Sequence, residues 1–174
     1  MTEHNFAGLL RALCDGRVNF IVVGGLAAVL HGAPISTLDV DVVHSRDAAN
    51  VERLLAVLQS LDAVYRIQPE RRLRPNAAHL ASPGHLNLIT RLGPLDLLGT
   101  IGSGLGYDDL LPNSSSVDLG AGNTVRILDL DMLITLKEQL ATDKDRAALP
   151  ILRRTLELRR NLTGYPQQIV PGEK

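Results

Sequence analysis

The run Val18-Asn19-Phe20-Ile21-Val22-Val23 closes on Gly24-Gly25, and thirteen residues separate Gly25 from the first acid of Thr37-Leu38-Asp39-Val40-Asp41-Val42. The first run is β-branched and aromatic, and reads as a buried strand. Paired glycines let the chain turn sharply and bring its backbone close to a ligand. Residues 26–31 read as a short helix closed by Gly32 and Pro34. A helix starting there presents unpaired N–H groups and a positive dipole end, which suit a phosphate. Residues 38–43 alternate apolar and acidic side chains, the period of a strand with two different faces, so Asp39 and Asp41 project together. Two neighbouring carboxylates repel and raise each other's pKa unless a divalent cation lies between them. Hard oxygen ligands on a rigid strand beside a phosphate cradle describe a Mg²⁺–nucleotide site. Singly, each half is common: Gly-Gly after a strand is often a plain turn, and alternating Asp and Val often a half-exposed strand. Their conjunction carries the chemical reading.

A third carboxylate joins them. Asp96 stands in Pro94-Leu95-Asp96-Leu97-Leu98, an isolated acid in an apolar strand. A lone buried Asp is costly unless paired or bound to metal. If its strand lies beside that of Asp39, the three acids converge. The plainer alternative puts Asp96 on the solvent side of an edge strand.

Outward from this stretch, the apolar spacing predicts helices over 7–13, 48–61, 129–140 and 145–160, and one helical turn over 107–111. Strands are expected over 64–67, 86–91, 94–101, 116–119 and 124–127. The pair 86–91 and 94–101 reads as a hairpin around Leu92-Gly93, and 116–119 with 124–127 as a second around Gly120-Ala121-Gly122. Residues 69–84, with three prolines and three arginines, read as a loop. The fold class is α+β: a mixed, mostly antiparallel sheet of about five strands with flanking helices. Residues 1–162 are expected to form one domain, and 163–174 a disordered tail.

Composition narrows the function classes. The 174 residues hold 18 basic and 19 acidic side chains, a net charge of −1, which argues against a non-specific nucleic-acid coat. Three Tyr, two Phe and no Trp leave little for stacking bases on aromatic platforms. One cysteine, Cys14, excludes an intramolecular disulfide and disfavours a Cys-based zinc site. The apolar stretch 20–30 is too short to cross a bilayer, and no signal peptide precedes it, so a cytoplasmic protein without membrane contact is expected.

Gly24-Gly25, Asp39-Val40-Asp41 and Leu95-Asp96-Leu97 together resemble the pattern of the DNA polymerase beta-like nucleotidyltransferase superfamily. Thr37, ahead of the acids, matches many bacterial members. The C-terminal part is similar to small bacterial nucleotidyltransferases of the abortive-infection (AbiEii-type) toxin group. There a helical Lys is followed about seven residues later by Lys-Asp, here Lys137 and then Lys144-Asp145. The resemblance covers residues 18–152 and implies a minimal nucleotidyltransferase fold. It implies transfer of a nucleoside monophosphate from an NTP to a hydroxyl of a tRNA, a protein or a small molecule. Asp39, Asp41 and Asp96 would be catalytic and would hold two Mg²⁺ ions. Gly24, Gly25, Thr37, Lys137 and Lys144 would bind the nucleotide. A toxin–antitoxin role, an antitoxin partner or a homodimer is implied as one option. The other reading is a non-catalytic protein on the same fold that binds nucleotide or a partner. Two departures matter: Gly25 replaces a serine whose hydroxyl often holds phosphate, and Thr142 stands where many relatives have Arg.

The remaining features read plainly. Asp129-Leu130-Asp131 repeats the Asp-x-Asp spacing but suits a helix N-terminus. His79 and His85 lack a third ligand nearby and read as surface. His44, at a strand end, reads as solvent-facing with substrate contact as the alternative, and Cys14 as packing. Residues 1–131 hold 10 basic and 14 acidic groups, while 132–174 hold 8 and 5. Arg153, Arg154, Arg159 and Arg160 make a basic helical face, read as solvated unless it meets tRNA or an acidic partner. Arg71, Arg72 and Arg74 are a second candidate for holding an acceptor or a triphosphate.

Overall fold

A computed structural model describes residues 4–140 and 142–163. In chain order the elements are α1 (Phe6–Asp15), β1 (Phe20–Val23), α2 (Gly24–Leu30), β2 (Val40–His44), α3 (Ala48–Ser60) and β3 (Val64–Tyr65). Then follow α4 (Ala77–Ala81), β4 (His85–Thr90), β5 (Gly93–Leu98), α5 (Tyr107–Leu110), β6 (Ser114–Asp118), β7 (Thr124–Leu128), α6 (Leu130–Leu140) and α7 (Asp143–Thr163).

The strands form one sheet in the order β3-β4-β5-β2-β1-β7-β6. It is α+β and mixed, as expected, but has seven strands rather than about five. All seven candidate segments pair, because the two-residue β3 and the largely exposed β6 cover backbone groups that would otherwise be bare at the sheet's edges. Pairing is antiparallel for β1–β2, β3–β4, β4–β5 and β6–β7. It is parallel for β1–β7 and β2–β5. Each parallel contact joins strands far apart in sequence, so neither could be read from local pattern.

Helices cover the centre of the sheet. Every residue of β1 is buried, so both of its faces are packed, which explains a continuous apolar run rather than an alternating one. Helix α2 packs on β1 and β2 and against α6, which in turn packs on α7; α3 packs on α1 and α4. Leu54 and Leu58 on α3 and Leu9 and Leu13 on α1 are at most 1% exposed, and truncating one of them to Ala is expected to cost about 2–5 kcal/mol. Asp47 caps α3 by accepting from Asn50 N at 2.8 Å. Asn50, fully buried, donates to the carbonyls of Asn19 and Ser45 and so ties β1 and β2 to this helix start.

Several boundaries move. The first hairpin pairs Thr90 with Gly93, so its turn is Arg91-Leu92 and Gly93, at φ +127°, opens β5. The segment 69–84 is not a continuous loop: it holds a 3-10 turn at Pro69–Arg71 and α4, whose start is capped by the Asn76 side chain. Helix α7 starts at Asp143 and runs through Thr163, past the expected end of the domain, while 164–174 of the expected tail lie outside the described residues. Among the described residues, no helix is long and apolar enough to cross a membrane.

Candidate functional site

The site lies where β2 and β5 run side by side. The parallel register sets Asp41 directly beside Asp96. Cross-strand neighbours project to the same face, so the two carboxylates meet. Asp39, just before β2, adds a third. One oxygen from each of Asp39, Asp41 and Asp96 lies within 4.8 Å of the others. Asp96 is 7% exposed on an interior strand between β4 and β2, not on an edge.

Crowding shows in the proton affinity of Asp41. Burial, followed by the charges of Asp39 and Asp96, pushes its pKa up to about 6, while Lys144 and Arg66 pull it back. A carboxylate this costly to ionise is relieved by a cation. Three hard oxygens at this spacing fit a divalent ion of the Mg²⁺ type.

The glycine turn is built into the same place. Gly24 has φ +63°, and a Cβ there would sit 2.2 Å from Asp41 Oδ2, so its missing side chain is the space that Asp41 uses. A Cβ on Gly25 would sit 2.8 Å from Thr37 Oγ1. The Thr37 hydroxyl therefore occupies the volume into which a residue-25 side chain would grow, and a hydroxyl stands beside the turn despite the glycine. Thr37 Oγ1 donates to the carbonyl of Asp39 at 3.1 Å, fixing the approach to β2.

The two lysines separate. Lys144 is near enough for its charge to act on Asp41. Lys137 instead donates to Asp145 at 2.9 Å, with both side chains largely buried. Thr142 also bonds Asp145, and its hydroxyl accepts from Asp145 N at 3.2 Å, so it caps α7. Burial raises the Asp145 pKa, but the hydrogen bonds from Thr142 and Lys137 outweigh it and hold the carboxyl below its usual range.

One site residue escaped the sequence reading. Arg66 donates to both oxygens of Asp96, at 2.8 and 2.9 Å, and lies 3.8 Å from Asp39 Oδ2. Its place follows from strand order. Arg66 N donates to the carbonyl of Asn87, and Asn87 pairs with Asp96, which pairs with Asp41. Arg66 thus continues a row across four strands, and its long side chain reaches over Asn87. No local signal marks it, because the row exists only once β3, β4, β5 and β2 are assembled.

Other candidates go elsewhere. Arg72 and Arg74 both pair with Asp62, and Arg71 donates to Gln68. Arg153, Arg154 and Arg160 pair with Glu138, Glu157 and Asp131, and Arg159 donates to the carbonyl of His31. Asp131 lies in the first turn of α6, and the Asp129 carboxylate accepts from the Ser115 hydroxyl. His44 is not solvent-facing: it is 1% exposed, and its Nε2 meets the Leu80 carbonyl at 2.9 Å. Burial lowers its pKa and keeps it neutral at physiological pH. His79 and His85 are exposed and bond Tyr65 and the Thr100 carbonyl. Cys14 packs against the core.

No family model matches the chain. No curated protein matches it in sequence. Among solved structures it is similar to the lincosamide antibiotic adenylyltransferase LnuA bound to lincomycin, with a TM-score of 0.57 and 13% identity over 87% of this chain and 96% of that one. A protein from Thermotoga maritima assigned as a nucleotidyltransferase aligns with a TM-score of 0.46 and 16% identity over 93% of this chain and 97% of that one. The first is a likeness of fold.

Proposed function

We propose that residues 1–162 form a metal-dependent nucleotidyltransferase that moves a nucleoside monophosphate from an NTP to a hydroxyl acceptor. The observation that carries this reading is the convergence of Asp39, Asp41 and Asp96 within 4.8 Å, with Asp41 packed against a glycine turn that has no side chain to displace it. The likeness of fold to an adenylyltransferase supports it. Asp39 and Asp41 would hold the cations, and Asp96 would complete the shell of one of them. Mg²⁺ would neutralise the triphosphate and stabilise the entering and leaving oxygens. Asp96 would also help to take the proton of the attacking hydroxyl. Gly25 N–H, the Thr37 hydroxyl and Lys144 would hold phosphate oxygens, with Lys144 acting as a point charge. Lys137 serves the same end indirectly, by fixing Asp145 and with it the start of α7 beside Lys144.

The acceptor would offer a hydroxyl on a tRNA, a protein or a small molecule. A toxin–antitoxin role rests on the resemblance of the C-terminal part alone; growth arrest on expression, relieved by a neighbouring gene, would test it.

Calorimetry with ATP, CTP, GTP and UTP, with and without Mg²⁺, tests the main reading. Mg²⁺-dependent binding of at least one is expected, with label transfer abolished in Asp39→Ala and Asp96→Ala. Absence of any Mg²⁺-dependent binding would overturn it. The grip of Arg66 on Asp96 favours a second reading, a nucleotide-binding protein without turnover, which predicts binding with no pyrophosphate release.

A further inference from the structure

The cation that sits on the carboxylate triad belongs to the chain itself. Arg66 holds Asp96 through both oxygens and lies 3.8 Å from Asp39. The Asp96 side chain is 10% exposed and that of Arg66 37%, so the guanidinium covers Asp96, while the Asp39 side chain stays 32% exposed. One guanidinium nitrogen, Nη2, bridges both Asp96 oxygens and so occupies carboxylate lone pairs that a metal ion needs. A divalent ion bound to one oxygen from each acid would also sit against a like charge, in a site where burial already makes charge costly. The two cations therefore compete.

We propose that Arg66 is a built-in competitor of the metal: it holds Asp96 away from a lone divalent ion and is released when an incoming polyphosphate offers it oxygens. The identity of that anion rests on the nucleotidyl-transfer reading; the competition with metal does not. Guanidinium matches phosphate in the same bidentate way as carboxylate, so the exchange needs no new chemistry. The side chain is free to make it, because Arg66 lies just beyond Tyr65 at the sheet edge and its backbone is anchored separately, by N donating to the Asn87 carbonyl at 2.9 Å. The result is a site that binds metal poorly by itself and well together with nucleotide, a coupling that is reciprocal by thermodynamic linkage.

The test is a Mn²⁺ titration of the full chain with no nucleotide present, read from the paramagnetic resonance signal of free Mn²⁺. Wild type is compared with Arg66→Gln, which removes the charge, and Arg66→Lys, which keeps the charge on a shorter side chain and loses the guanidinium bridge from Nη2 to both Asp96 oxygens. Arg66→Gln is expected to bind Mn²⁺ about tenfold more tightly than wild type, with Arg66→Lys between them. Melting curves in chelator establish folding. Should Arg66→Gln not fold, Arg66→Lys against wild type supplies the comparison, since a shorter side chain without the Nη2 bridge frees Asp96 oxygens and still tightens Mn²⁺ binding. Binding no tighter than wild type in the folded variants overturns the proposal; a merely structural role for Arg66 would weaken binding or leave it unchanged. Tighter Mn²⁺ binding by the variant, together with no nucleotide binding by wild type, upholds the competition and overturns the nucleotidyl-transfer reading instead.

Discussion

Asp41→Asn is expected to make the metal-free protein more stable at neutral and alkaline pH. Burial and the charges of Asp39 and Asp96 raise the Asp41 pKa from 3.8 to about 6. That difference is worth about 3 kcal/mol at ~1.36 kcal/mol per pH unit. Because the folded protein binds this proton more tightly than the unfolded chain, the ionised group works against folding. The penalty is absent below about pH 3.8, grows as the pH rises, and is complete above about pH 6. Asparagine has nearly the same shape and cannot ionise, so it fits the space left by Gly24 without the charge. For a chain of this size about 3 kcal/mol corresponds to a rise in Tm of about 6–12 °C. Melting curves of wild type and variant in chelator, at about pH 8, 6 and 4, test this. The gap should be widest at the highest pH and small at the lowest. A variant that melts no higher than wild type at about pH 8, or a gap that ignores pH, would refute the reasoning. The same substitution should abolish Mn²⁺ binding. Stability gained where a ligand is lost is the mark of a site built for a cation rather than for the fold.

Other perturbations follow from the same geometry. In wild type, Mn²⁺ affinity should fall by up to about tenfold per pH unit below about pH 6, as a proton takes Asp41; a flat profile in an isotherm series would show that Asp41 is not a ligand. Gly24→Ala combines a φ of +63° with a Cβ 2.2 Å from Asp41 Oδ2, so it should cost about 1–3 kcal/mol in denaturant titrations and weaken metal binding. Lys137→Met leaves Asp145 short of its cation at 12% side-chain exposure and should cost about 2 kcal/mol near neutral pH. Since the Asp145 pKa is held down, that loss should shrink as the pH falls through it; an unchanged Tm would assign Lys137 to ligand binding alone. Asn50→Ala strands the buried Ser45 carbonyl and takes the acceptor from Asn19 N, and should cost about 1–3 kcal/mol by chemical denaturation.

Much of this was legible in one dimension because the signals are local. Strand alternation places Asp39 and Asp41 on one side, the glycines mark a sharp turn, and an Asp among leucines announces a buried acid. Helical periodicity located α1, α3 and α6 to within a few residues. The errors share one cause. His44 was expected to face solvent, yet α4 covers it with the Leu80 carbonyl, a contact between residues 36 apart. Seven segments read as strands but about five were expected in the sheet, because the edge pairings of the short β3 and the exposed β6 depend on β4 and β7 beside them. The three loop arginines are dense in sequence, but two of them neutralise Asp62.

By itself, the sequence determined the chemical content of the site: three carboxylates, two glycines and a threonine, carried on segments whose local pattern dictates strand and turn. Only the tertiary structure decided how they meet. The parallel pairing of β2 with β5 sets Asp96 beside Asp41 across fifty-four intervening residues, and strand order alone extends that row to Arg66. Residue periodicity is a property of a few consecutive peptides, whereas register between distant strands is fixed by the packing of the whole core. The carboxylates could therefore be read from spacing, and the arginine that neutralises them could not.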